Sequence, residues 1–256
     1  MIDICLLHGW GVNRVVWRGM EEFYAEYGRV KCIDLPGYGE QTQEIFPTQL
    51  DLVARRVADE IPSGSLVIAW SLGATIALYI QIAKLLPFRA LQLVSATPKF
   101  VNSSDWRSGQ QPQKFESFLQ AFEGDYSNAL RGFISLQLHG DPIDAQQVED
   151  WLSRLNVYPR PSQETLVNGL QLLNNTDLRE DLAMINIPTH IVSGKRDRVC
   201  HTKASVYLNK SISNSVLTQF SCGHLPFYSR TNDYKASTKR WLESLGIFNS
   251  GGSECS

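Results

Sequence analysis

No run of this chain approaches the roughly 20 consecutive apolar residues that span a bilayer. Its first residues, Met1-Ile-Asp-Ile-Cys-Leu-Leu, lack the basic flank of a secretory signal. Charge of one sign is equally scarce. With 24 Lys+Arg against 26 Asp+Glu the formal net charge is -2, so the chain as a whole has no electrostatic reason to seek nucleic acid. It contains no Lys/Arg-rich run, no zinc-ligand spacing, no internal repeat and no low-complexity segment. Paired cysteines are missing too. Cys5, Cys32, Cys200, Cys222 and Cys255 are odd in number and scattered, without C-x-x-C, a pattern of free thiols in a reducing compartment. These absences predict a cytoplasmic protein with no nucleic-acid or membrane partner, and a monomer.

What is present is the composition of an ordinary globular protein, 43% hydrophobic and 20% charged over 256 residues, large enough to bury a core without staples. Short apolar runs alternate with segments of helical period. The runs at Ile4–Leu7, Val30–Asp34, Leu66–Ala69, Ala90–Ser95, His190–Ser193 and Val216–Phe220 read as buried parallel strands, each followed by turn residues. Helical patterns at Leu50–Glu60, Gly73–Leu86 and Asp233–Leu245 lie between or after them. This rhythm predicts an α/β fold with a mostly parallel central sheet flanked by helices. It breaks between Ser95 and His190, where only helical patterns occur: Phe115–Phe122, Tyr126–Leu138, Ala145–Leu155 and Gln163–Asn174. A structureless loop of that length is improbable. The expectation is a helical cap over residues 99–185, set on a core of 1–98 and 186–248, with 249–256 a disordered tail. Leaving one strand and returning to the next places the cap over the carboxyl edge of the sheet, where ligands bind.

The strongest local signal is Leu66-Val-Ile-Ala-Trp-Ser-Leu-Gly-Ala-Thr-Ile-Ala. A buried strand turns at Ser71 and leaves as a helix, the arrangement of a nucleophile elbow that holds a serine hydroxyl up from the sheet. Strand and helix nearly touch there, so small residues are needed, and Gly73, Ala74 and Ala77 supply them. Ala69 stands where G-x-S-x-G has its first glycine, and slight crowding is expected. Read alone, the segment also admits the lesser reading of a serine capping a helix after a strand. A serine nucleophile needs a base, and the base a third group to orient it. In this arrangement the chain order is serine, acid, histidine. Asp197 follows a late strand in Gly194-Lys-Arg-Asp, and His224 follows the last in Ser221-Cys-Gly-His. Both loops open on the carboxyl edge with Ser71. An Asp in a glycine turn and a lone His are individually commonplace, but three coincidences in the right order are not. The backbone amides of Leu72 and of Trp10, in the early loop Leu6-Leu-His-Gly-Trp-Gly, are the candidate oxyanion donors. His8, His139, His190 and His201 read as packed or solvated histidines, the cysteines as small hydrophobes, and Asp34-Leu-Pro-Gly-Tyr-Gly as a turn. No cofactor or metal is called for.

The segments His8-Gly-Trp-Gly, Asp34-Leu-Pro-Gly-Tyr-Gly, Trp70-Ser-Leu-Gly and Gly223-His-Leu-Pro-Phe together resemble the α/β-hydrolase superfamily. Within it, the combination is most similar to the methyl ester esterases of biotin synthesis, which act on pimeloyl-[acyl-carrier protein]. Asn168-Gly-Leu-Gln-Leu-Leu and Thr176-Asp-Leu-Arg extend the likeness over nearly the whole chain. The resemblance implies a serine esterase with the cap inserted after the sixth strand of that fold. It implies an acyl site lined by Phe133, Ile134, Ser135, Leu136 and Gln137 as well as Trp10, Ser71, Leu72 and His224, the chain running past Phe133 and Leu136. It also implies an acidic carrier protein as partner. Two departures stand against it. The chain begins almost at the oxyanion strand, so the usual preceding hairpin is expected to be short or absent. Between residues 105 and 164 Arg107, Lys114, Arg131, Arg154 and Arg160 are outnumbered by Asp105, Glu116, Glu123, Asp125, Asp141, Asp144, Glu149, Asp150 and Glu164, so no strongly basic docking face is visible. A carboxylesterase or lactonase acting on small esters is the alternative, since fold does not fix substrate. From another class, so is a catalytically dead hydrolase used for binding.

Overall fold

The computed structural model describes residues 1–246 except Gly140, Pro142 and Asp144, and leaves out the side chains of Glu123, Tyr126, Ser127, Ala145, Val148 and Leu152. The expected tail at 249–256, with Cys255, lies outside the described residues. Six strands form one parallel sheet: β1 (Ile2–Leu7), β2 (Gly28–Ile33), β3 (Leu66–Trp70), β4 (Ala90–Val94), β5 (Thr189–Gly194) and β6 (Ser215–Phe220), in the order β2-β1-β3-β4-β5-β6. All six correspond to apolar runs of the sequence, with ends shifted by one or two residues. The chain steps outward from β1 to β2, then crosses back to place β3 on the other side of β1. That reversal is the switch point at which open α/β sheets carry their ligand crevice.

Alternation along the strands builds two cores. Cys5, Leu7, Val67, Ala69, Leu91 and Leu93 face one, while Ile4, Leu6, Leu66, Ile68, Trp70, Ala90 and Val94 face the other. The first is covered by helices α2 (Leu50–Asp59) and α3 (Leu72–Ile82), the second by α1 (Glu21–Ala25) and, at the chain's end, by the last helix. In α2 the buried side is Val53, Ala54, Val57 and Ala58, the spacing of an amphipathic stripe. In contrast, α3 is buried over nearly its whole length.

The long interval between β4 and β5 is a helical insertion, made of α4 (Pro112–Gly124), α5 (Tyr126–Gln137), α6 (Ala145–Leu155) and α7 (Gln163–Asn175). Local chemistry starts them: proline in the first turn of α4, the Asp125 carboxylate on the Asn128 amide, and the Ser162 hydroxyl on the Thr165 amide. The insertion follows the fourth strand of this sheet. The expected position, after the sixth strand, counts strands by the superfamily's numbering rather than along this sheet. Its neck is clasped where it leaves and returns: Lys99 pairs with Asp177, and Arg179 bridges Asp177 and Asp105 while lying over the Trp106 ring. The chain then continues through α8 (Thr202–Ser211), α9 (Pro226–Ser229) and α10 (Thr231–Ser244). Of these, the sequence reading did not find α8 or the single turn α9. Among the described residues no helix is long and apolar enough to cross a membrane.

Candidate active site

Strand β3, buried at every position, passes into α3 with Ser71 alone between them. Ser71 has φ 54 and ψ -117, backbone that costs a non-glycine residue about 1–3 kcal/mol and survives only where its surroundings enforce it. Here β4 and α3 enforce it. The Ser71 N–H donates to the Val94 carbonyl at 3.0 Å, and its own carbonyl accepts from Ala74 and Thr75 at 2.9 and 3.1 Å. Space explains the small residues. A Cβ on Gly73 would lie 2.6 Å from the His8 carbonyl oxygen, and one on Gly9 2.9 Å from the Trp70 ring and 3.1 Å from Ser71 Cβ. Ala69 is fully buried in register with Leu7 and Leu93, and the turn forms with alanine there.

The three residues separated in sequence meet at the carboxyl edge. His224 Nε2 is 3.0 Å from Ser71 Oγ, and Nδ1 is 2.7 Å from Asp197 Oδ2. An ionised carboxylate can only accept, so Nδ1 carries the proton and Nε2 is left to accept from the serine hydroxyl. Asp197 Oδ1 accepts the amides of Val199 and Cys200 at 2.8 and 2.9 Å, which locks the carboxylate in one orientation. Ser71, Asp197 and His224 are 9%, 6% and 0% exposed, so their interactions act in a medium of low polarity. The histidine backbone is pinned as well. Its carbonyl accepts from the Trp70 indole at 3.1 Å and the Ser95 hydroxyl at 2.9 Å, and its N–H donates to the Gln137 carbonyl at 2.8 Å. The geometry is that of a nucleophile, a base and an orienting acid, in which a proton can pass from a serine hydroxyl to an imidazole.

The loop after β1 lies against this elbow because β1 pairs with β3. His8 holds it: Nδ1–H donates to the Gly9 carbonyl at 2.8 Å and Nε2 accepts the Leu35 amide at 3.0 Å. Burial pushes the imidazole below its ordinary pKa, against the pull of Asp34, in keeping with a neutral structural histidine. The Trp10 side chain serves the cap. Its indole donates to the Leu166 carbonyl of α7 at 2.8 Å, and its ring meets Phe118, Phe122 and Phe133 edge-on at centroid distances of 5.9, 5.6 and 4.9 Å. These rings make an apolar wall from α4 and α5, suited to an alkyl chain.

One expectation needs correction. Five consecutive helical residues cannot line one site, because they point around the whole helix. Phe133 faces Trp10. Ile134 is buried against the other core, in the cleft lined by Gly11, Val12 and Asn13. Ser135 is exposed, and Leu136, 38% exposed, lines an open groove with Lys114, His139, Arg196, Arg198 and His201. Gln137 is buried and reaches the site through its backbone carbonyl. His190 is buried among polar partners and His139 and His201 are exposed. Among the described residues Cys5, Cys32, Cys200 and Cys222 are free, and burial pushes the Cys5 and Cys222 thiols up to about 11 and about 12. Cys200 faces Ser71 and Asp197, and burial followed by the Asp197 charge drives its thiol well upward. Sequence reading missed Ser95, Gln110 and Asp141, which hold the triad loops through one or two hydrogen bonds each. No local motif marks a residue whose partner is decades away in the chain.

The sequence pattern of the alpha/beta hydrolase family matches residues 6–234. The pimeloyl-[acyl-carrier protein] methyl ester esterase of Pseudoalteromonas atlantica is 31% identical over 236 residues, 91% of either chain. That of Nitrosomonas europaea is 31% identical over 230 residues, covering 89% of this chain and 90% of its own. Among solved structures, an esterase from Exiguobacterium antarcticum superposes with a TM-score of 0.83 at 20% identity, over 95% of this chain and 92% of its own. The chain belongs to the alpha/beta hydrolase family, as a carboxylic ester hydrolase.

Proposed function

We propose that the chain hydrolyses the methyl ester of pimeloyl-[acyl-carrier protein], releasing methanol and the free ω-carboxylate. The observation that carries this reading is the 31% identity to methyl ester esterases of that substrate over 91% of both chains, joined to the Ser71–His224–Asp197 geometry. Ser71 Oγ attacks the ester carbonyl while His224 Nε2 takes its proton. Asp197 keeps Nδ1–H in place and stabilises the imidazolium. The amides of Trp10 and Leu72 receive the oxyanion, the latter at the start of α3, whose dipole adds to it. His224 returns the proton to the departing methoxide. Water deprotonated by the same imidazole then cleaves the acyl-enzyme, and Ser71 regains its proton. The acyl chain lies along Phe133 and Trp10 under a cap of residues 99–185. No cofactor or metal takes part. A cytoplasmic monomer acting on a carrier-bound substrate is the corresponding setting.

Support for a carrier comes from the groove beside the triad. Lys114 of α4 stands with Arg196, Arg198, His139 and His201, and among the described residues no acidic side chain forms an ion pair with Lys114, Arg196 or Arg198. The net acidic cap favours the second reading, a carboxylesterase for small esters.

Methanol release from methyl-pimeloyl-carrier protein, measured beside the same ester on a small thiol, separates the two. Preferential cleavage of the carrier-bound ester is expected. Equal or better cleavage of the small ester would overturn the carrier reading and leave a small-molecule esterase. Ser71→Ala and His224→Ala should each lower turnover on the order of 10^6-fold with the thermal transition retained, and turnover surviving in either would remove the triad assignment.

A further inference from the structure

The cap grips both loops that carry the triad. At its entry, Gln110 Nε2 donates to the carbonyls of Arg198 and Val199, each at 2.7 Å, just after Asp197. At the end of α5, the Gln137 carbonyl accepts the His224 N–H at 2.8 Å, and Asp141 Oδ1 accepts the Gly223 N–H at 2.7 Å. The latter is a charge-assisted bond, roughly twice as strong as a neutral one.

Gly223 has almost no freedom. A Cβ there would sit 2.6 Å from the Gln137 carbonyl oxygen, 3.1 Å from Asp141 Oδ2 and 3.2 Å from the His139 carbonyl oxygen. On its other side, the Gly223 carbonyl lies where a Cβ on Gly194, at the end of β5, would be 1.9 Å away. The segment Gly223–His224 is thus clamped between the sheet and the cap, and on the cap side Asp141 holds it through a side chain. That carboxyl is half-buried. Burial pushes its pKa up, opposed by the Gly223 N–H, Ser229, Arg196 and Arg230. Cys222, from the same loop, also faces it. Desolvating a carboxylate costs stability unless it is compensated, and α5 has already ended at Gln137, so helix formation does not call for it.

We propose that Asp141 is a positioning residue for the hydrolytic reaction: by fixing the Gly223 amide it holds His224 against Ser71, so that the cap sets the geometry of the base as well as covering the acyl site. The proposal rests on the triad reading above. A displacement of about 1 Å at a reacting group can lower rate about 10^2-fold, so a lost clamp shows in turnover while substrate affinity stays.

The experiment is steady-state hydrolysis of p-nitrophenyl butyrate and the rate of fluorophosphonate labelling, in wild type, Asp141→Ala and Asp141→Asn. Asp141→Ala should lose about tenfold in kcat and in labelling rate, with KM within about twofold. Asp141→Asn keeps an oxygen that can accept from Gly223 and should return to within about threefold of wild type. Wild-type labelling by Asp141→Ala, or an Asn variant as slow as the Ala variant, would overturn the proposal. If Asp141→Ala does not fold, Asp141→Ser, too short to reach the amide, takes its place with the same two outcomes. Absence of labelling in wild type, with Ser71→Ala as blank, would overturn the triad reading itself. Labelled wild type beside an equally fast Asp141→Ala variant would overturn this inference alone.

Discussion

At the scale of single residues, the hydrogen bonds of Asp197 decide which nitrogen of His224 can act. Two backbone amides occupy Oδ1 and the imidazole occupies Oδ2, so the carboxylate has one orientation and the imidazole one tautomer. Asp197→Asn keeps the shape but can present an N–H to Nδ1, which turns the ring's proton toward the serine. Turnover should fall about 10^4-fold, with the fold retained. A loss of less than about tenfold in steady-state hydrolysis would show that orientation comes from the pinned histidine backbone instead. The types and order of Ser71, Asp197 and His224 were legible in the chain, because each follows an apolar strand. The identities of Trp70, Ser95 and Gln137 as holders of the His224 backbone were not, since a carbonyl contact constrains no residue type nearby in sequence.

At the scale of elements, the sheet's second face carries a buried polar chain. Gln92 of β4 accepts from the Tyr24 and Tyr234 hydroxyls at 2.6 and 3.0 Å and donates to His190 Nδ1 and Thr238 Oγ1, both at 2.9 Å. His190 of β5 in turn donates from Nε2 to Thr218 of β6 at 2.9 Å. This ties three strands to α1 and α10 and uses the neutral imidazole, with Nδ1 as acceptor. Burial, aided by Arg240, holds His190 down to about 4 from the ordinary 6.5. The unfolded chain therefore takes up this proton first as pH falls. The stability gained from the neutral form is present above about pH 6.5 and is lost toward pH 4, at most about 3 kcal/mol. Urea unfolding of wild type and His190→Gln at several pH values between 7 and 4.5 should show this slope in wild type and a flatter one in the variant. Parallel slopes would mean that His190 does not contribute to it. The strands were legible from their apolar runs. Helix α8 was not, because its sequence, Thr202–Ser211, is mostly polar and forms a helix by packing Ala204, Ser205 and Leu208 inward.

At the scale of the whole molecule, charge is distributed by folding rather than by composition. Acidic residues outnumber basic ones along the cap, yet Lys114 comes to lie with Arg196 and Arg198, from a loop some eighty residues later, in one groove beside the triad. Under the carrier reading this groove meets an acidic partner. Lys114→Glu should then raise KM for the carrier-bound ester about tenfold and steepen no salt dependence, while leaving the small-thiol ester unchanged. An equal KM for the carrier-bound ester would remove the groove from carrier docking.

By itself the sequence determined the strand pattern, the helical interruption and the three residue types at the strand ends. Strand periodicity, turn chemistry and the order of motifs are local properties that survive without coordinates. Tertiary structure alone decided which cap residues face the site. One turn of α5 sends Phe133 to Trp10 and Leu136 outward, and that choice depends on how the helix is rotated against the sheet. It alone also placed Gln110, Asp141 and the basic groove, because single hydrogen bonds and clusters of charge between distant segments leave no periodic trace in the chain.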